Sequence, residues 1–173
     1  MHTLISIEEY LRTSYSPDRE YRDGVLLERN VGEEPHSELL GALGQYIRNR
    51  RRQWNISVYV AQRIRAREGW YPVPDVCVYL LPEPEGQVPD KPPFLWIEIL
   101  SDDDKMTEVW DKAKNAIACG TPYVWIVDPD TLESELWTAA GKTWITDGTL
   151  RLPDSPIVIP RRGAGGIAYL ASG

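Results

Sequence analysis

Apolar residues recur along the chain with two periods, and the switches between them lay out the elements. In residues 35 to about 53, Leu39, Leu40, Leu43, Tyr46 and Ile47 fall at the three-and-four spacing of one helix face, and His36 lies on that face in the first turn. Residues 105–119 repeat the pattern, with Met106, Val109, Trp110, Ala113, Ala116 and Ile117 inward, Ser101 as N-cap and Gly120 as the stop. Ser6 followed by Glu9 reads as a capping box opening a short helix to about Arg12, which Ser16 and Pro17 end. Residues 20–31 read as a β-hairpin turning at Asp23-Gly24, because a tight turn needs positive φ. Strands are expected at about 58–67, 74–81, 94–100 and 123–128, with a surface loop of five prolines across 82–93. Residues 133–137 and 142–146, on either side of Gly141, read as a second hairpin before an irregular end. The run 94–100 is apolar except for Glu98, which suits a central strand covered on both faces. The order predicts a mixed α/β (α+β) fold: a central sheet flanked by helices, with an N-terminal and a C-terminal hairpin.

A length of 173 residues adds the expectation of one domain over 1–173, with a core at about 20–129. No apolar run approaches the ~20 residues of a membrane helix, and residues 1–12 lack the basic start of a signal peptide. The expected address is cytoplasmic, with no membrane partner. Cys77 and Cys119 lack the spacing of a zinc site or a disulfide framework and read as small core residues. The formal charge of −7 argues against coating nucleic acid by bulk attraction. Its distribution changes that picture: residues 39–67 hold seven arginines and no acid, so the remainder carries −14. Arg48, Arg51, Arg63 and Arg65 in that segment are candidates for tracking a phosphate backbone. A solvated helix end and an exposed strand face explain them equally well.

Glu98 is the most informative position, since an ionised carboxylate rarely sits mid-strand in a core without a partner or a metal. Strand alternation places it on the face of Trp96 and Leu100. Asp75 stands at the start of the preceding strand, and pairing of the two strands brings both carboxylates to one sheet edge. Such hard oxygen ligands suit Mg²⁺ or Mn²⁺, which hold a phosphate and activate a water. Taken singly, Asp75 is equally a strand-start residue satisfied by backbone donors, and Glu98 half of a buried salt bridge.

Pro74-Asp75, then Ile97-Glu98-Ile99-Leu100-Ser101, then Lys112, then the run from Gly120-Thr121-Pro122-Tyr123 through Asp128-Pro129 resemble, in order and spacing, a large bacterial family described as putative restriction endonucleases within the PD-(D/E)XK superfamily. Glu20-Tyr21-Arg22-Asp23-Gly24 and His36 resemble that family's N-terminal hairpin and first-helix histidine, so the likeness covers roughly residues 20–129. The resemblance implies a restriction-endonuclease-like, metal-dependent phosphodiesterase fold with Asp75 and Glu98 on the metal. In the wider superfamily a lysine follows two residues after the second acid; here that position is Leu100. The resemblance moves the lysine to the next helix, at Lys112, which lies beside Val109 and Ala116 at the margin of the buried face. Lys105, on nearly the same side, is the rival. His36 is placed for a metal water or phosphate, or for a core or capping role. Glu20 reads as a further site acid by the family pattern and as an exposed hairpin acid by its own sequence; Gln62, on the strand face opposite Arg63 and Arg65, is a weaker site neighbour. Where the family has Ser-Pro-Ser after the second acid, this chain has Ser101-Asp102-Asp103-Asp104, which fits helix capping, repulsion of a phosphate backbone at the mouth of the site, or a second cation.

Three readings stand at this level. One is a Mg²⁺-dependent endonuclease on nucleic acid, expected to be double-stranded DNA, with the choice between DNA and RNA open. Another is a nuclease fold that binds nucleic acid or a protein partner without cutting. The third is an assembly role, with Trp137, Trp144 and residues 157–159 forming a homodimer contact.

Overall fold

The structure is a computed structural model that describes residues 4–30 and 32–160. A six-stranded sheet forms its centre, in the order β3 (Ile56–Val60), β5 (Val76–Leu80), β6 (Leu95–Ile99), β7 (Tyr123–Val127), β8 (Ser134–Thr138), β9 (Gly141–Trp144). All neighbours are antiparallel except β6 and β7, which are parallel and joined through helix α4 (Met106–Ala118). A parallel pair needs such a crossover, because a tight turn cannot return the chain in the same direction. A second sheet of three strands contains β1 (Arg19–Arg22), β2 (Val25–Glu28) and the short β4 (Trp70–Tyr71).

Strand alternation sorts the core into two layers. Leu95, Ile97 and Ile99 of β6 pack with Leu39, Leu43 and Ile47 of α2 (Glu34–Asn49) on one face of the sheet. Trp96, pointing the other way, packs with Ala113 and Ala116 of α4 and with Trp70. The sheet is therefore a filling between two helices, as the apolar run of β6 requires. The opening helix is α1 (Ile7–Arg12), where the Ser6 hydroxyl accepts from the Glu9 amide at 3.1 Å. The Asp23-Gly24 turn has positive φ at both residues, 49° and 91°, the geometry of a two-residue hairpin turn.

The structure departs from the sequence expectations at four places. The helix read as 35–53 breaks at Arg50 into α2 and α3 (Arg51–Trp54); the Arg50 guanidinium lies 3.6 Å from the Tyr46 ring centroid and covers the break. The strand read as 58–67 ends at Val60, because Ala61 takes a φ of 48° that no strand continues through. Beyond it Ile64 and Ala66 are buried in the α4-side core, and the Ala66 amide bonds the Trp70 carbonyl. Ser101 does not cap α4: Lys105 holds that position without a side-chain bond, and the Ser101 amide instead donates to Asp104 Oδ2 at 2.8 Å. The end of the chain is more ordered than expected. β10 (Thr149–Arg151) pairs with β11 (Val158–Pro160), and Ile157 and Ile159 are buried in the α2-side core, which removes them from any dimer contact.

At the far edge of the main sheet, Lys142 of β9 lies over Trp110, Trp137 and Trp144, and its ammonium is 3.4 Å from buried Glu135. That cluster ties β9 to α4. Among the described residues no helix is long and apolar enough to cross a membrane.

Leu43 is fully buried at the centre of the α2–sheet contact. Leu43→Ala is expected to lower unfolding stability by about 3 kcal/mol, moving the urea midpoint with the slope unchanged. A loss below about 1 kcal/mol contradicts this packing of α2.

Candidate active site

Register decides where the acids meet. Val76 pairs with Ile97 across the antiparallel β5–β6 ladder, so Asp75, one step before the start of β5, comes opposite Glu98. The two carboxylates share a depression of about 460 Å³ whose lining also includes Glu20, Arg29, His36 and Lys112. Strand β1, the exit of β2, helix α2, the start of β5, the end of β6 and helix α4 each contribute one of these six side chains.

The two oxygens of Asp75, which is buried, do different work. Oδ2 accepts from the Ile99 amide at 2.8 Å and is 3.3 Å from His36 Nε2. Oδ1 is met by the Arg29 guanidinium at 3.2 Å. Glu98 Oε1 accepts from the Trp96 indole at 2.6 Å and is 2.8 Å from the Lys112 ammonium. Lys112 also lies 2.8 Å from Glu20 Oε1, which accepts the Val73 amide at 3.0 Å. The α4 lysine thus bridges the β1 acid and the β6 acid in a largely dry place.

Burial is the largest influence on Glu98 and pushes its carboxyl up from 4.5 to about 7, against the pull of Lys112. Burial also raises the cost of ionising Asp75, but the His36 bond, the Ile99 amide and the nearby positive charges hold it below the usual carboxylate range. His36 is raised, chiefly by its bond to Asp75 and against its own burial. Burial works against the Lys112 charge, yet Glu20 and Glu98 together hold it above its ordinary value. Lys112 therefore stays charged, and the Glu98 carboxyl titrates near neutrality.

Asp75 and Glu98 offer hard anionic oxygens, the donor type that fits Mg²⁺ or Mn²⁺. Among the described residues Glu98 Oε2 accepts no hydrogen bond, so one ligand position lies open, while Asp75 Oδ1 is engaged only by Arg29. No three His, Cys, Asp or Glu side chains among the described residues form a ready-made cage. Asp75 and Glu98 would hold such a cation, and their carboxylate oxygens fit a hard divalent ion.

Of the candidate residues, the fold gathers Asp75, Glu98, Lys112, His36 and Glu20. Glu20 is buried, which corrects its reading as an exposed hairpin acid. Lys105 is exposed and pairs with Glu108 at 3.0 Å instead of entering the cluster. Gln62 is turned away, donating to the carbonyls of Arg63 and Gln87. The arginines are not at the site. Arg48 and Arg51 line a separate depression at the other end of α2, about 18 Å from His36 by helix rise. Arg63 stacks on Tyr10 at 4.4 Å and faces Asp18, and Arg65 is exposed where its amide bonds Pro89. The cations that do line the site, Arg22 and Arg29, belong to the hairpin and its exit, and no spacing rule in the sequence points to them.

A family profile for Uma2, described as "Putative restriction endonuclease", matches residues 7–163. Among solved structures, the chain is similar to a putative nuclease belonging to DUF820 from Anabaena variabilis, with a TM-score of 0.72 at 22% identity, over 86% of this chain and 89% of that one. A search of curated proteins gave no match.

The raised Glu98 carboxyl has a consequence for stability. Its folded value lies above the unfolded one, so the stability it confers is full below about pH 4.5 and is lost as pH rises through about 7. In metal-free buffer Glu98→Gln is expected to gain on the parent protein between pH 5 and 8 by on the order of 2 kcal/mol. His36 contributes equally to both proteins and cancels. A difference between the two unfolding midpoints that stays flat over that range shows that Glu98 ionises normally.

Proposed function

The chain belongs to the family described as putative restriction endonucleases, and from that premise we propose that it is a divalent-metal-dependent endonuclease hydrolysing the phosphodiester bonds of double-stranded DNA. The observation that supports this most directly is the delivery of the Lys112 ammonium by α4 to within 2.8 Å of both Glu98 and Glu20. It supplies the cation that Leu100, at the usual strand position, cannot.

In this reading Asp75 and Glu98 hold Mg²⁺ or Mn²⁺, which when bound polarises the phosphate and lowers the pKa of a water. Lys112 stands beside the oxygen of the phosphate that gains charge as the water adds and the leaving oxygen departs. Glu20 keeps the lysine in place through its Val73 anchor, and His36 with the Ile99 amide fixes the Asp75 carboxylate. Trp96 and Trp70 beneath the site exclude water and strengthen each charge interaction. The expected compartment is the cytoplasm, where DNA substrates are met, and a homodimer is the expected way to cut both strands.

Acid side chains at the mouth favour a second reading, a nuclease fold that binds without cutting. Glu28, Asp104, Glu108 and Asp111 line the same depression and repel a phosphate backbone.

Incubated with supercoiled plasmid and Mn²⁺ or Mg²⁺, the parent protein is expected to nick, with Asp75→Ala and Glu98→Ala inactive. Lys112→Met is expected to slow nicking by about 10²–10³-fold. Undiminished nicking by both acid variants sinks the assignment. Salt-sensitive DNA binding with no cleavage under any divalent cation selects the second reading, and cleavage of RNA alone moves the substrate.

A further inference from the structure

Among the described residues Arg29 makes one hydrogen bond, to Oδ1 of Asp75. Its Nη2 donates to Asp75 Oδ1 at 3.2 Å, while the other Asp75 oxygen is held independently by the Ile99 amide and His36. Asp75 therefore keeps its position if Arg29 leaves. Among the described residues the guanidinium makes no other hydrogen bond or ion pair, although it carries five N–H donors. The contrast with Arg67 is instructive: there both terminal nitrogens clasp Asp23, at 2.9 and 2.7 Å, the two-handed geometry of a fixed pair. The one-handed contact of Arg29 is longer, and its side chain is about a quarter exposed at the wall of the depression.

The backbone around it suits a moving side chain on a fixed base. Arg29 follows the last residue of β2 and lies outside regular structure. Its neighbour Asn30 donates to Asp104 Oδ1 at 2.7 Å, and Asp104 in turn accepts the Ser101 amide, so this connection is pinned to the turn before α4.

Resting on the metal-dependent reading, we propose that Arg29 is a gate on Asp75. Without a divalent cation it neutralises Oδ1; when the cation takes that oxygen, Arg29 transfers to an anionic oxygen of the bound phosphodiester. Cation and nucleic acid then bind as a linked pair, each tightening the other, because displacement of Arg29 by one creates the donor that the other uses. Arg29 is a positioning residue for the metal and a clamp for the phosphate.

Isothermal titration of Ca²⁺ into the parent protein, Arg29→Ala, Arg29→Lys and Arg22→Ala, with and without a short DNA duplex, tests this. Arg22 lines the same depression but stacks over Trp70 and does not touch Asp75, so it reports what a nearby charge does without the gate. Arg29→Ala is expected to bind Ca²⁺ alone about tenfold more tightly, and duplex in saturating Ca²⁺ about tenfold more weakly. Arg29→Lys should retain much of both properties, and Arg22→Ala should shift Ca²⁺ affinity by less than about threefold. The gate is overturned if Arg29→Ala binds Ca²⁺ no better than the parent, or if Arg22→Ala gains as much. If none of the four proteins binds a divalent cation, it is the metal-dependent reading that has failed and the gate with it. Binding by Arg29→Ala where the parent binds none supports a gate held shut.

Discussion

Lys112 sits in a place that water would normally contest, between two carboxylates and above the Trp96 ring, and the arrangement of the site follows from the need to satisfy that buried charge. An ammonium taken out of water costs several kcal/mol, on the order of the gain from each close opposite charge, so it persists only where partners are firmly placed. Glu20 is firm because the Val73 amide holds it, and Glu98 because the Trp96 indole does. Each end of the bridge is thus fixed to a different sheet, and α4 locks the hairpin sheet against the main sheet. Removing Lys112 leaves both acids buried without their cation, an effect of about 3–5 kcal/mol in comparable settings. The site and the junction of the two sheets are one structure.

How much of this the sequence disclosed depended on whether the controlling force was local or distant. The apolar run with a single acid at Glu98 marked a strand covered on both sides, and Asp23-Gly24 marked its hairpin, because periodicity and turn chemistry act over a few residues. The same logic failed between Ala61 and Arg67. The residues alternate well enough for a strand, but the free energy is lowered by turning at Ala61 to bury Ile64 and Ala66 beneath α4, a contact no local pattern contains. With that turn Gln62, Arg63 and Arg65 left the sheet, and their expected placement along a substrate groove went with them.

The site divided in the same way. Asp75 and Glu98 were legible as a pair because strand pairing is a regular operation on sequence, and His36 because a helix face is. Glu20 was ambiguous on its own residues: a hairpin acid is usually wet, and only its approach to Lys112, ninety-two residues later, makes it dry. Arg29 carried no signal, since it lies beyond a strand end with no period to place it. The acid run at 102–104 resembled helix capping, yet Asp104 closes a turn on Ser101 and holds Asn30 instead. Its role is to fasten the hairpin exit over the depression.

The distribution of charge constrains the order in which this depression can fill. Of the arginines that stand out in the sequence, Arg48, Arg51 and Arg52 gather at the far end of α2 and none lines the depression, which holds seven acids against Arg22, Arg29 and Lys112. Lys112 is already committed to Glu20 and Glu98, and Arg29 to Asp75, so little positive charge is left to meet a phosphate. Screening reduces the repulsion from exposed Glu28 and Glu108 but not that from the buried carboxylates, which lie in a poorly screened interior. An anionic substrate that enters first gains almost nothing from this arrangement. A divalent cation, if bound first, would neutralise Asp75 and Glu98, would favour the ionised form of Glu98 that burial resists, and would compete with Arg29 for Asp75. Under the nuclease reading, then, the acidic lining that argues against nucleic acid at first sight is what makes the cation a precondition for it.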